Sequence, residues 1–142
     1  MFRAPLIAWN IEHGDIMTPQ LFFGMSSKIA LLGWIGLVFG GRMRVILRTI
    51  AFAMPTTIGV VYAFAIIGHW HERIGRFGSL SQVHDLFQNP WLLLAGWVHY
   101  LAFDLLVGAW ECADAEQRPI SHFLVIPFLL LTFLFGPIGF LL

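Results

Sequence analysis

Charged residues are scarce in this chain. Lys, Arg, Asp and Glu make up 11% of its 142 residues, whereas hydrophobic residues make up 58%. A soluble domain typically carries about 25% charged residues, so this chain has too few charges to cover a surface that faces water. The mean hydropathy of +0.80 agrees with that comparison. The composition therefore excludes an ordinary soluble domain and predicts a protein of the lipid bilayer.

Three other features are missing, and each absence excludes a class of function. The chain has no excess of positive charge, because eight Lys and Arg balance eight Asp and Glu. This excludes the basic surface that nucleic-acid binding needs. A second cysteine is missing, so Cys112 forms neither an intrachain disulfide nor a cysteine metal cluster. Phosphate-loop, dinucleotide, nucleophile-elbow and clustered-histidine motifs are missing as well. Nucleotide-dependent enzymes and multi-histidine di-iron hydroxylases are therefore disfavoured.

Four long apolar stretches are present. They cover residues 19–40, 45–67, 90–110 and 122–142. A helix of about 20 mainly apolar residues crosses roughly 30 Å of hydrocarbon. We therefore predict an all-α fold, in which a single membrane domain over residues 1–142 forms an integral bundle of four transmembrane helices.

Glycine and proline add expectations about the backbone of these helices. Gly33, Gly36 and Gly40 in the first stretch allow a close helix contact, either within the chain or in a homo-oligomer. Pro55, Pro127 and the pair Gly136–Pro137 lie within the second and fourth stretches. Each proline removes a helix hydrogen bond and kinks the helix unless its neighbours compensate, and kinked helices can enclose a cavity. The alternative is that membrane helices simply tolerate proline and glycine at these positions.

The third stretch contains the most informative polar residue, Asp104. An ionisable group at the centre of a bilayer costs at least ~2.5 kcal/mol and marks a functional position. At 100° per residue, Tyr100 and Asp104 share one helix face, and Glu111 returns to that face two turns later. His99 projects about 140° away from Asp104 and faces a different neighbour. We predict Asp104, His99, Tyr100 and Glu111 as candidate catalytic residues.

Aromatic residues surround these polar groups on the same helix. Trp97, Phe103 and Trp110 suit a long apolar ligand that has one polar end. A buried carboxyl group that both donates and accepts a proton suits general acid/base catalysis. A purely structural alternative stays open, in which Asp104 is neutral or paired with Arg48 or Lys28 and its neighbours bond to carbonyl groups.

The other histidines are weak candidates for metal binding. His69 and His71 belong to the run H-W-H-E at the end of the second stretch, but residues i and i+2 diverge on a helix. An interfacial anchor is the alternative for that run. His122 begins the fourth stretch, where a contact with Glu111 is geometrically plausible. Iron would require His99 together with His69, His71 or His122, and haem between two helices is another option. The sequence therefore leaves the cofactor unassigned.

The third and fourth stretches also carry a specific pattern of residues. The pattern reads G-W-x-H-Y-x-A-x-D-L-x-x-G-x-W, followed by a polar loop, a histidine, P-x-L-x-x-T and G-P-x-G. Over residues 89–142 it resembles the ABA4-like family of small membrane proteins, whose plant members are required for neoxanthin formation. The residues that match are Gly96, Trp97, His99, Tyr100, Asp104, Gly108, Trp110, His122, Pro127, Thr132, Gly136 and Pro137.

The resemblance implies a membrane enzyme that acts on a carotenoid, either a xanthophyll or β-carotene. In the plant reaction an epoxy end group becomes an allene without net redox change. Asp104 or His99 would protonate the epoxide, and Tyr100 or Glu111 would accept the proton that is lost. Trp97, Phe103, Trp110 and His122 would bind the substrate.

Two alternatives to isomerisation stay open. Oxidative cleavage would give a retinal-like apocarotenoid and would need iron, haem or light, whereas a non-catalytic protein would only bind carotenoid. The short chain has no plastid transit sequence, so we expect a bacterial relative in the inner membrane, with a possible homo-oligomer.

Overall fold

The computed structural model describes residues 18–40, 43, 46–47 and 49–141, and all regular structure in these residues is helical. A π-helical turn, Thr49–Ala53, precedes the second helix, and a 3-10 turn, Trp70–Glu72, follows it. The α-helices are α1 (Pro19–Gly40), α2 (Met54–His69), α3 (Leu80–Leu86), α4 (Pro90–Gln117), α5 (His122–Phe135) and α6 (Pro137–Leu141).

Three helical segments of the described chain are long and apolar enough to cross a bilayer. They are Pro19–Gly40, Thr49–Glu72 and Pro90–Gln117. The expected fourth span over residues 122–142 is interrupted, because α5 has 14 residues and ends at Phe135. At 1.5 Å per residue α5 is about 21 Å long, which is short of the roughly 30 Å of hydrocarbon.

The start of α4 follows from local sequence signals. The Asn89 side chain accepts hydrogen bonds from the backbone nitrogens of Trp91 and Leu92, at 2.9 and 3.3 Å, and Pro90 occupies the first turn. An asparagine cap followed by proline is a favoured helix start. The helix continues to Gln117, beyond the expected end at residue 110, so Glu111 lies inside it.

Helix α4 lies at the centre of the bundle and packs against α1, α2 and α5. Leu105 is fully buried in a cluster with Trp34 and Leu37 from α1, and Val98 is fully buried beside Ile58 from α2. Half of the apolar window of α4 is buried, compared with 28% in α1 and 22% in the α2 segment. Side chains on α4 are therefore held by neighbours on several sides.

The glycines of α1 make contacts inside the chain. A Cβ atom at Gly33 would lie 2.8 Å from the Leu105 side chain, and one at Gly36 would lie 2.6 Å from Ile50. A Cβ at Gly40 would lie 2.9 Å from Ile46. These glycines therefore admit neighbouring side chains of the same chain, which is the first of the two expected contacts, and a contact between copies stays a prediction.

The outcome differs among the three sites where a kink was expected. Pro55 lies in the first turn of α2, directly after the π-helical turn Thr49–Ala53, so regular α-helical hydrogen bonding is interrupted beside this proline. Pro127 lies within α5, which continues to Phe135. The last apolar stretch does break at the pair Gly136–Pro137, where Gly136 has a φ of +49°, a value that favours glycine.

Helices α5 and α6 form a hairpin that reverses direction at Gly136. Gly139 packs directly on Thr132, where an added Cβ would overlap the threonine hydroxyl and backbone nitrogen. On a continuous helix these two residues would be about 10 Å apart. The Phe140 ring lies 5.5 Å from the Trp110 ring. We call Ser121 to Leu141 the α5–α6 hairpin.

Candidate functional site

Three polar side chains of α4 face the α5–α6 hairpin. The Tyr100 hydroxyl donates a hydrogen bond to the Phe133 carbonyl oxygen at 3.2 Å, near the end of α5. Asp104 faces the break, because a Cβ at Gly136 would lie 3.3 Å from its Oδ1 atom. Helical periodicity predicted that Tyr100 and Asp104 share a face, and the structure places them on the same side of α4.

Glu111 lies on this side of α4 as well. The Thr132 hydroxyl donates a hydrogen bond of 2.6 Å to its Oε1 atom. Thr132 is fully buried, and the sequence identified it only as a match to the family pattern. We call Tyr100, Asp104, Glu111 and Thr132 the polar cluster.

Each carboxyl group of the polar cluster has one oxygen that lacks a hydrogen-bond partner among the described residues. These atoms are Oδ2 of Asp104 and Oε2 of Glu111, and both are buried. A buried polar atom without a partner costs about 1–3 kcal/mol. Such atoms call for an explanation, and a ligand that brings hydrogen-bond donors would supply one.

The described residues do not supply a cation for Asp104. Their ion pairs join His71 to Glu72, His84 to Asp85 and Arg118 to Asp114. The alternative in which Lys28 pairs with Asp104 is therefore not observed. Arg48, the other expected partner, lies outside the described residues.

A groove runs beside Glu111, between α4, α5 and α6. Its volume is about 600 Å³, within the range of small-molecule sites. The Arg118 Nε atom donates to Asp114 Oδ2 at 2.8 Å, so an ion pair and the half-buried Glu111 carboxyl group both contact the same groove. The aromatic residues that line it are Trp110, Phe128 and Phe140. The groove therefore combines apolar walls with polar groups, as an amphiphilic ligand requires.

The other aromatic residues expected to bind substrate lie outside this groove. The Trp97 indole nitrogen donates to Ser27 Oγ at 3.2 Å, and its ring packs 5.4 Å from Phe23 on α1 and 5.6 Å from Tyr100 of the polar cluster. The Phe103 side chain is 57% exposed and packs on His99 at 4.5 Å. Among Trp97, Phe103 and Trp110, the structure brings only Trp110 to the groove beside Glu111.

His99 lies apart from the polar cluster. Its ring contacts Tyr62 on α2 at 5.7 Å and Phe103 at 4.5 Å, consistent with the direction expected from periodicity. His69 stacks on Trp91 at 4.3 Å, and its Nδ1 lies 3.2 Å from the Ala65 carbonyl oxygen. Both histidines are therefore held among aromatic rings.

The expected contact between His122 and Glu111 is corrected. His122 Nε2 donates to the Val38 carbonyl oxygen at 2.9 Å, which ties the start of α5 to the end of α1. Glu111 instead bonds to Thr132, which lies ten residues further along α5. This spacing is about 15 Å, too far for one carboxyl group to reach both residues.

The candidate iron ligands are not assembled in the described part of the chain. His71 is close to Glu72, at 3.8 Å, while His69, His99 and His122 have the separate partners given above. Within the residues that the structure describes, no three His, Cys, Asp or Glu side chains are arranged to hold a metal ion. The set of His99 with His69, His71 or His122 is therefore not brought together.

The described residues are all-helical, with three segments long and apolar enough to cross a bilayer and a half-buried group of carboxyl side chains, as in a helical membrane protein. Residues 21–142 match the family described as ABA4-like, ABA DEFICIENT 4-like. The chain belongs to this ABA4-like family, and the match extends the resemblance found over residues 89–142 to the first helix. A search of curated proteins gives no match, and neither does a search of solved structures.

Proposed function

We propose that this ABA4-like protein is a multi-pass enzyme of the bacterial inner membrane that isomerises an end group of a carotenoid. The family match supports a role connected with carotenoids. The observation that carries the proposal is the pair of carboxyl groups on one side of α4, each with a buried oxygen that lacks a partner in the described chain. Glu111 lines the neighbouring groove, and Asp104 lies beside Gly136, two turns away on the same side of α4. A carotenoid end ring that enters the groove would bring polar groups to Glu111, and it would have to reach further along α4 to meet Asp104.

Acid and base roles follow from the positions of the two carboxyl groups. Asp104 lies beside Gly136, between the end of α5 and the start of α6, and we assign it as the proton donor because Glu111 has the features of the acceptor. Glu111 accepts a hydroxyl hydrogen bond from Thr132, as a carboxylate does, so Glu111 is the proton acceptor. His99, which faces α2, is not needed for either role.

The reaction on an epoxy xanthophyll is balanced with these two groups. Asp104 protonates the epoxide oxygen, the carbon–oxygen bond breaks, and the oxygen remains as a hydroxyl group. Glu111 removes a proton from the adjacent polyene carbon, and that electron pair forms the new double bond of the allene. One proton enters and one leaves, so the step consumes no oxidant. Catalysis by a positioned acid or base contributes typically 10²–10⁴-fold.

The isomerisation is tested by pigment conversion in a host that makes an epoxy xanthophyll, whereas hosts that make β-carotene or zeaxanthin, which lack an epoxide, test cleavage and binding. Wild type should give a product with the same carbon skeleton, and Asp104→Asn or Glu111→Gln should lower its formation at least ~100-fold at equal protein abundance. Asp85→Asn is the matched control, because Asp85 is an exposed carboxylate beside His84. Conversion that survives in both cluster variants would refute the assignment.

Other products of that experiment identify the alternatives. A shortened carbon skeleton would indicate oxidative cleavage to an apocarotenoid. Unchanged carotenoid that co-purifies with the protein would indicate a binding protein without turnover. Unchanged pigment with none bound would contradict the connection with carotenoids.

A further inference from the structure

Thr132 is the residue of the α5–α6 hairpin that bonds directly to a carboxyl group of the polar cluster. Its side chain is fully buried, and its hydroxyl donates to Oε1 of Glu111 at 2.6 Å. The bond occupies one carboxyl oxygen and leaves Oε2 without a partner in the described chain. Thr132 therefore determines which oxygen of Glu111 stays available.

The reversal at Gly136 fixes Thr132 itself. The Gly136 backbone nitrogen donates to the Thr132 carbonyl oxygen at 2.7 Å. On the other side of the turn, Gly139 lies against the Thr132 hydroxyl and backbone, where any Cβ would overlap. Two glycines and a reversed backbone thus hold one threonine hydroxyl in place beside Glu111.

We propose that Thr132 is a positioning residue for Glu111 and that the α5–α6 hairpin, besides lining the groove, holds this hydroxyl in place. The inference rests on the proposed function, in which Glu111 accepts a proton. A glutamate side chain has several rotatable bonds and loses considerable entropy when it is fixed. A short hydrogen bond to one oxygen selects a single orientation before substrate arrives, and preorganised geometry of this kind increases the rate of the chemical step.

The kinetic test compares variants that keep or remove the hydroxyl group. Thr132→Val has nearly the same shape and should lower kcat by about 10- to 100-fold, with KM changed less than about twofold. Thr132→Ser keeps a hydroxyl and should restore kcat to within about threefold. Thr57→Val is the matched control, because the Thr57 hydroxyl donates at 2.8 Å to the Ala53 carbonyl oxygen on α2; its kcat should not change.

A second readout does not depend on turnover. The infrared carboxyl band of Glu111, identified by its disappearance in Glu111→Gln, should shift in Thr132→Val and stay in place in Thr132→Ser and Thr57→Val. If Thr132→Val fails to accumulate, Thr132→Ala is the second hydroxyl-free variant and should show the same shift. Thr132→Val should also have no further effect on rate in a Glu111→Gln background.

The outcomes separate this inference from the proposed function. If the Glu111 band shifts in Thr132→Val but the wild type converts no carotenoid, the hydrogen bond from Thr132 positions Glu111 and the proposed function is wrong. An unshifted band in the hydroxyl-free variants would overturn the positioning role, whatever the conversion rate. An equal loss of kcat in Thr132→Ser and Thr132→Val would also overturn it.

Discussion

The two sides of α4 differ both in chemistry and in what packs against them. Towards α1 and α2, α4 presents buried apolar residues such as Val98 and Leu105, and the neighbours are helical segments long enough to cross a bilayer. Towards the α5–α6 hairpin it presents Tyr100, Asp104 and Glu111. The interrupted helix supplies a backbone carbonyl to Tyr100 and a hydroxyl group to Glu111, which are the kinds of partner that a polar group needs away from water.

The largest expected effect concerns the reversal that defines the polar side. Spin labels are placed at Ser121→Cys and Leu141→Cys in a Cys112→Ala background. A continuous helix would separate them by ~30 Å, and the reversal should shorten that distance by roughly 15 Å. Electron spin resonance distances measure this directly. The matched control is Gln20→Cys with Phe39→Cys on α1, which is uninterrupted and should give about 28 Å. Equal distances for the two pairs would remove the contrast between the sides of α4.

The apolar side should carry most of the stability. Leu105→Ala removes a fully buried side chain and should lower the free energy of unfolding by about 2–5 kcal/mol. Tyr100→Phe, on the polar side, removes one hydrogen bond to the Phe133 carbonyl and should cost about 0.5–1.5 kcal/mol. Unfolding in mixed micelles measures both values. A larger loss for Tyr100→Phe than for Leu105→Ala would reverse the comparison.

Part of this architecture could be predicted from residue order alone. The apolar stretch predicted over residues 19–40 has the same bounds as helix α1, Pro19–Gly40. The length of an apolar run between polar residues predicts the length of the helix directly. The common face of Tyr100 and Asp104 follows from 3.6 residues per turn. Both features are local along the chain, so a single sequence contains them.

The remaining features depend on contacts between distant residues. Counting apolar residues over 122–142 gives a full span, because hydropathy does not show that the backbone reverses at Gly136. The partner of Glu111 was expected to be His122, which is nearer in sequence, whereas packing of α5 against α4 supplies Thr132. A pattern containing P-x-L-x-x-T and G-P-x-G marks Thr132 and Gly139, but it does not indicate that they touch.

A smaller effect is expected where α6 packs on α5. Gly139→Ala inserts a methyl group against the Thr132 backbone and should destabilise the protein by about 1–3 kcal/mol. It should also shift the Glu111 carboxyl band, because Thr132 is displaced. Gly59→Ala is the control, since nothing lies within 4 Å of its added Cβ. Equal free energies of unfolding for Gly139→Ala and Gly59→Ala would show that α6 does not pack tightly against Thr132.

The smallest effect is expected at His99, on the side of α4 that faces α2. His99→Phe preserves the ring contacts with Tyr62 and Phe103, so carotenoid conversion should change less than about twofold. Initial rates of pigment conversion at equal abundance measure this. If His99→Phe lowers the rate of conversion as much as Asp104→Asn does, His99 is a catalytic residue after all.

The groove beside Glu111 lies on the flank of the bundle, where Trp110, Phe128 and Phe140 form its apolar walls. A water-insoluble ligand in this groove would arrive by lateral diffusion within one leaflet, without crossing an aqueous phase. The ion pair of Arg118 with Asp114 contacts the same groove near the end of α4. Under the proposed function, the amount of pigment dissolved in that leaflet, rather than in the cell as a whole, would set how often Glu111 meets a substrate.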